Sequence, residues 1–184
     1  MIYHTTMKDR IKYLFFEGAA GNWHFEEIVK KANLSRERAN HYLKELIKEG
    51  YIKKVKPKGE MPYYIAIYDS EKFKNEKRIY GLTMLQKSGL FTHICENKGI
   101  KSAILFGSFA SGYWHKESDI DLFIYGSEET FEKGKYETIL KKEIQLFCYD
   151  EKEKMKKELS PGLLPNIASG FKIKGHLEPF LVNM

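Results

Sequence analysis

Cysteine is scarce: Cys95 and Cys148 are the two in a chain of 184 residues. So low a count excludes a disulfide scaffold and any zinc site built on paired cysteines. Each lies in apolar company, so both are expected to be small core residues. Long apolar runs are missing as well. None approaches the roughly 20 residues that span a bilayer, which excludes an integral membrane protein. The opening MIYHTTMKDR lacks the apolar core of a signal peptide, so the expected location is the cytoplasm. Repeats and low-complexity tracts are absent. The six histidines (4, 24, 41, 93, 115 and 176) show no metal-ligand spacing.

What is present is the composition of a folded protein. Hydrophobic residues make up 42% and charged residues 30%, enough apolar matter for a core in one mid-sized domain or two small ones. The net charge is +6. It is unevenly spread: residues 1–69 hold 13 basic and nine acidic side chains, against 18 and 16 in residues 70–184. A positive excess permits nucleic-acid binding without demanding it.

Hydrophobic periodicity organises the first third. Met7, Ile11, Leu14 and Phe15 fall at helical spacing before Gly18 and Gly21 break the run. Phe25, Ile28, Val29 and Ala32 mark a short second helix. Ser35 caps a third, whose buried stripe is expected to be Ala39, Tyr42, Leu43, Leu46 and Ile47, with Gly50 ending it. Tyr51–Lys56 and Pro62–Tyr68 then read as a β-hairpin. Trp23 and tyrosines 63, 64 and 68 are expected to pack in the core and sheet.

Helix, short helix, tight turn, helix and basic hairpin together resemble a winged helix-turn-helix domain. That resemblance implies contact with double-stranded DNA. Arg36, Arg38, Asn40, His41 and Lys44 on the third helix would face a major groove, and Lys54, Lys56 and Lys58 on the wing would meet phosphates.

Past Tyr68 the pattern changes. Asp69-Ser70 can cap a helix from Glu71 to about Gln86, with Phe73, Ile79, Leu82 and Leu85 apolar and Gly81 or Ser88-Gly89 interrupting it. The boundary is therefore expected near residue 69, giving domains 1–69 and 70–184. A further helix spans Leu90–Asn97.

The chemistry is written later. Ala103–Phe106 is a short buried strand running into Gly107-Ser108-Phe109-Ala110-Ser111-Gly112. After ten more residues from Ser108 comes Asp119-Ile120-Asp121-Leu122. Gly107 has no side chain, so a phosphate can approach its backbone, and Ser108 offers a hydroxyl and an amide. Asp119 and Asp121 alternate with apolar residues, which puts both carboxylates on one strand face. Paired carboxylates repel unless a cation joins them, and that is the usual setting for Mg²⁺ beside substrate phosphates.

Strand, Gly-Ser, helix and Asp-Ile-Asp-Leu at this spacing resemble the nucleotidyltransferase domain of the DNA polymerase beta superfamily, especially the minimal prokaryotic members. The resemblance implies that Gly107 and Ser108 bind nucleotide phosphates. It also implies that Asp119 and Asp121 hold Mg²⁺ or Mn²⁺, and that a hydroxyl attacks the α-phosphate of a nucleoside triphosphate. Where relatives carry a third carboxylate on a later strand, after a helix at about Glu128–Lys142, this chain has Gln145. Glutamine can coordinate through its carbonyl oxygen but is no base. Glu143, two residues earlier and about 6–7 Å along the same strand face, is the candidate substitute as a catalytic residue.

The expected fold class is α+β: a winged helix followed by a nucleotidyltransferase-fold domain with a small mixed sheet. Three functions follow. One is a DNA-binding, metal-dependent nucleotidyltransferase acting on a hydroxyl acceptor such as a partner protein. Another is a transcriptional regulator whose degenerate domain senses nucleotide. The third is an antitoxin-like protein that neutralises a toxin-like partner by binding alone. A homodimer is a further candidate assembly.

Overall fold

The computed structural model describes residues 6–127, 129 and 131–176. Two compact units make up the chain. One runs to Lys77 and includes Trp114–Lys116; the other comprises Arg78–Tyr113 and the residues from Glu117 on.

In the first unit, α1 (Met7–Glu17) begins at a capping box: the Asp9 amide donates to the Thr6 hydroxyl at 3.1 Å, and the Thr6 amide to Asp9 Oδ2 at 3.0 Å. There follow β1 (Trp23–His24), α2 (Phe25–Ala32), α3 (Arg36–Lys48), β2 (Ile52–Val55) and β3 (Tyr63–Ala66). Asn33, in the left-handed region, ends α2, and the Ser35 hydroxyl caps α3 by accepting from the Arg38 amide at 3.3 Å. The strands form an antiparallel sheet in the order β1-β3-β2, with Tyr64 facing Trp23 on one side and Lys54 on the other. Ile11, Phe15, Phe16, Ile28, Leu43 and Leu46 are its core, each fully buried and each contributing about 1.5–3 kcal/mol relative to exposure. Trp114 joins it, edge-on to Phe16.

Several expected core positions lie elsewhere. Ile47 is exposed and Tyr42 half-buried, because α3 buries only the narrow stripe Ala39, Leu43 and Leu46. Tyr68 is exposed because it lies beyond the end of β3, with no strand beside it. The helix α4 (Glu71–Lys87) passes unbroken through Gly81, and the two units divide within it, between Lys77 and Arg78, rather than at residue 69. Phe73, Met84 and Leu85 on α4 are buried, whereas Ile79 is exposed.

The second unit continues with α5 (Leu90–Glu96), β4 (Ile100–Phe106), α6 (Gly107–Ser111), β5 (Ile120–Gly126), α7 (Lys133–Leu140), β6 (Ile144–Tyr149), α8 (Lys152–Glu158), α9 (Leu164–Ala168) and β7 (Phe171–Lys174). Helix α7 is shorter than the expected 128–142 span, and residue 128 lies outside the described residues. The sheet is mixed, in the order β6-β5-β4-β7: β4 is antiparallel to β5 and β7, and β5 is parallel to β6. Central β4 and β5 are almost wholly buried, as their near-continuous apolar sequences require. On one face Ile104, Phe106, Phe123 and Tyr149 pack under Met155 of α8, Leu159 just past its end and Ile167 of α9. Asp121 and Gln145 share this face by register, at its end beyond Phe123 and Phe147. The cysteines are not core residues: Cys95 is exposed on α5, and Cys148 is half-buried on the edge strand β6.

Candidate nucleotide and metal site

Two adjacent strand ends build the site. Strand β4 finishes at Phe106, directly opposite Asp121 near the start of antiparallel β5. The chain then turns at Gly107, whose φ of +68° is one that side chains rarely adopt. The turn is also sterically closed: a Cβ at Gly107 would lie 2.0 Å from Asp121 Oδ2 and 2.8 Å from its Cγ. The Asp121 carboxylate therefore occupies the space that any side chain at 107 would fill. It accepts a hydrogen bond from the Ser108 amide.

Burial pushes the Asp121 carboxyl above its ordinary value, the nearby Asp119 charge pushes it further, and the Ser108 amide offsets part of this. Asp119, one residue before β5, is exposed. Two like charges, one half-buried, make an electrostatically stressed pair that a divalent cation relieves. A set of two carboxylates, all oxygen, fits Mg²⁺ or Mn²⁺ completing its shell with phosphate oxygens and water. Among the described residues no three His, Cys, Asp or Glu side chains gather as a metal-binding group.

Gln145 pairs directly with Asp121 across the parallel β5–β6 ladder. Glu143 precedes β6, and its carbonyl accepts from the Ile120 amide at 2.9 Å. It lines a shallow depression together with Lys133, Glu137, Lys141 and Lys142. Ser108 differs from expectation in one respect. Its amide is already used on Asp121, which leaves the hydroxyl, without a partner among the described residues, as its free group.

The sequence offered no sign of Arg78. This α4 residue lines a cleft of about 330 Å³ against Gly107 and Ser111 of α6 and the α9–β7 turn. No motif surrounds it, and only the packing of α4 brings it to the loop.

The first unit displays its cations unevenly. Arg36 is ion-paired with Glu26 and lies over the Phe25 ring at 5.4 Å. Arg38 donates to the Met7 sulfur at 3.2 Å, and His41 lies 3.5 Å from Glu45. Lys54 lies over the Tyr64 ring. Asn40, Lys44, Lys56 and Lys58 are exposed, and their side chains form no hydrogen bond or ion pair among the described residues. Arg36, Asn40, Lys54 and Tyr64 share a groove of about 580 Å³ between α3 and the hairpin. No described helix is long and apolar enough to cross a membrane.

No curated protein matches the chain. A solved structure described as the crystal structure of the toxin-antitoxin with AMP-PNP aligns with 56% of this chain and 76% of that one, at 18% identity and a TM-score of 0.33. Residues 87–176 match the family model of the nucleotidyltransferase domain. The matched stretch contains β4, the Gly107 turn, Asp119 and the β5 residue Asp121, and so resembles a nucleotidyltransferase domain.

Proposed function

We propose that the protein transfers a nucleoside monophosphate from a nucleoside triphosphate to a hydroxyl acceptor, with Asp119 and Asp121 holding Mg²⁺ or Mn²⁺. The observation that carries this reading is the interlock of Gly107 with Asp121 beside Ser108 and Asp119. A cation held there would neutralise charge building on the phosphates during attack. Ser108 fixes the Asp121 carboxylate through its amide and offers its hydroxyl to a phosphate oxygen. In the transfer, the acceptor oxygen bonds to the α-phosphorus, the bond from that phosphorus to the bridging oxygen breaks, and pyrophosphate leaves with the electron pair. Gln145, beside Asp121, cannot take the acceptor's proton, which passes to solvent or to a base on the acceptor. Slow turnover, or activity confined to an acceptor that supplies its own base, follows from this.

A second reading rests on the same Gln145: a domain that binds metal–nucleotide as a sensor and transfers nothing. For the first unit, the exposed Asn40, Lys44, Lys56 and Lys58 on α3 and the hairpin support a winged helix bound to duplex DNA. Calorimetry with a nucleoside triphosphate separates the outcomes for the site. Affinity should rise with Mg²⁺ and be lost in the Asp119→Asn, Asp121→Asn double variant. Metal-independent affinity, unchanged in that variant, would overturn the proposal. Transfer of label from α-labelled triphosphate to an acceptor then distinguishes enzyme from sensor.

A further inference from the structure

The cleft beside Gly107 has a one-sided chemistry. Arg78 is its single charged lining residue, and no carboxylate faces it. Arg78 is half-buried, and its guanidinium has no hydrogen bond or ion pair among the described residues. A cation withdrawn from water without a counter-charge is costly, so the arrangement favours an incoming anion. The neutral groups narrow the choice. Ser111 donates its hydroxyl proton to the Gly107 carbonyl at 2.9 Å, and Ser169 donates to the Asn166 carbonyl at 3.1 Å. Those protons are spent on the walls. The donors left are the five N–H groups of Arg78 and the side-chain amide of Asn166. A ligand rich in acceptor oxygens and negative charge satisfies them.

The position of the cleft identifies which part of a ligand enters. Gly107 is a common wall: one side of it meets Asp121, and it also lines the cleft. The aspartates repel an anion and hold it only through a cation, whereas the cleft attracts it directly. We propose that Arg78, with Asn166, binds the β,γ end of the triphosphate and holds the departing pyrophosphate, while the α-phosphate lies beside Asp119 and Asp121. This rests on the proposed nucleotidyl transfer and assigns the polyphosphate tail within it. Arg78 is then a leaving-group residue, contributed by α4 from outside the Gly-Ser loop.

Inorganic tripolyphosphate, ATP and AMP, titrated calorimetrically in the presence of Mg²⁺, test the assignment. Arg78→Gln should weaken tripolyphosphate and ATP by about 10- to 100-fold, the loss for charge-assisted hydrogen bonds to phosphate, and leave AMP within about twofold. Arg78→Lys, which keeps the charge but loses the fork, should fall between. Asn166→Asp, at an exposed position, should weaken the same two ligands by placing a carboxylate in the cleft, and it serves as well if Arg78→Gln folds poorly. Wild-type tripolyphosphate affinity in both Arg78→Gln and Asn166→Asp would overturn the role of Arg78 while leaving metal-dependent transfer standing. Equal losses for AMP and ATP would also overturn it. No binding of any triphosphate by the wild-type protein would overturn both proposals.

Discussion

Gly107 and Asp121 exclude one another's alternatives: a Cβ on the glycine would sit 2.0 Å from the aspartate's Oδ2. The backbone at Gly107 is left-handed as well, with φ at +68°. Gly107→Ala therefore faces both strain and collision. A left-handed alanine costs about 1–2 kcal/mol by itself, and displacing the carboxylate moves the proposed metal ligand. Urea unfolding should show that loss, and calorimetry should show metal-promoted nucleotide affinity falling at least about tenfold. Wild-type affinity in Gly107→Ala would mean that Asp121 is not a ligand.

Asp121 also links the site to pH. Its carboxyl is raised by burial and by Asp119, so the unfolded state gives up this proton at lower pH than the folded state does. For a raised carboxyl the sign is the reverse of the usual one. Stability is greatest below the ordinary carboxylate value and declines as pH rises through the raised folded value, so the group is a burden once ionised. Asp121→Asn keeps an acceptor for the Ser108 amide and removes the charge. In chelator at pH 7 its Tm should equal or exceed that of the wild type. With Mg²⁺ and nucleotide the order should reverse, because only the wild type gains binding stabilisation. Thermal scans in the two buffers decide it.

Gln145 lies in register with Asp121, so an acid there would join the aspartate pair. Gln145→Asp should raise label transfer from α-labelled triphosphate, by as much as about 10²- to 10⁴-fold if the missing base limits the rate. It should also lower metal-free Tm through a third like charge. Glu143→Gln tests the rival base. If it abolishes native transfer, Glu143 takes the proton despite its lysine-rich surroundings.

On the first unit, the free lysines should matter more than the engaged arginine. Lys44→Ala should weaken duplex binding. Lys56→Ala with Lys58→Ala should flatten the slope of log affinity against log salt by about 0.9 for each phosphate they neutralise. Arg36→Ala should matter less, because Arg36 is already paired with Glu26 and stacked on Phe25. Fluorescence anisotropy across a salt series measures all three. Absence of duplex binding by the full chain at low salt would remove the DNA reading.

Much of this architecture was legible residue by residue. Local rules act within a few positions, so Ser35 capping α3, the core of the α1 stripe and Ala39, Leu43 and Leu46 of α3 could be read from spacing alone. The Gly-Ser turn and the Asp-Ile-Asp strand were legible for the same reason, since each is a short segment whose chemistry is carried by adjacent residues. Less local expectations went astray. Ile79 and Ile47 are apolar at helical spacing yet exposed, because which apolar residues are covered depends on what packs against the helix. Cys95 is exposed for the same reason. Gly81 did not break α4, as one helical glycine costs only about 1 kcal/mol, which packing can offset.

By itself the sequence determined the helices up to α7 and the strands β2 to β6, the Gly107–Ser108 turn and the placing of Asp119 and Asp121 around the start of one strand, all of which depend on backbone preferences and on periods of 2 and 3.6 residues. Only the tertiary structure decided that Asp121 fills the space over Gly107, that Gln145 stands beside it and that Arg78 closes a cleft on the loop. Those relations join residues far apart in the chain. They exist because strand register and helix packing, set by burial of the whole core, bring them within reach.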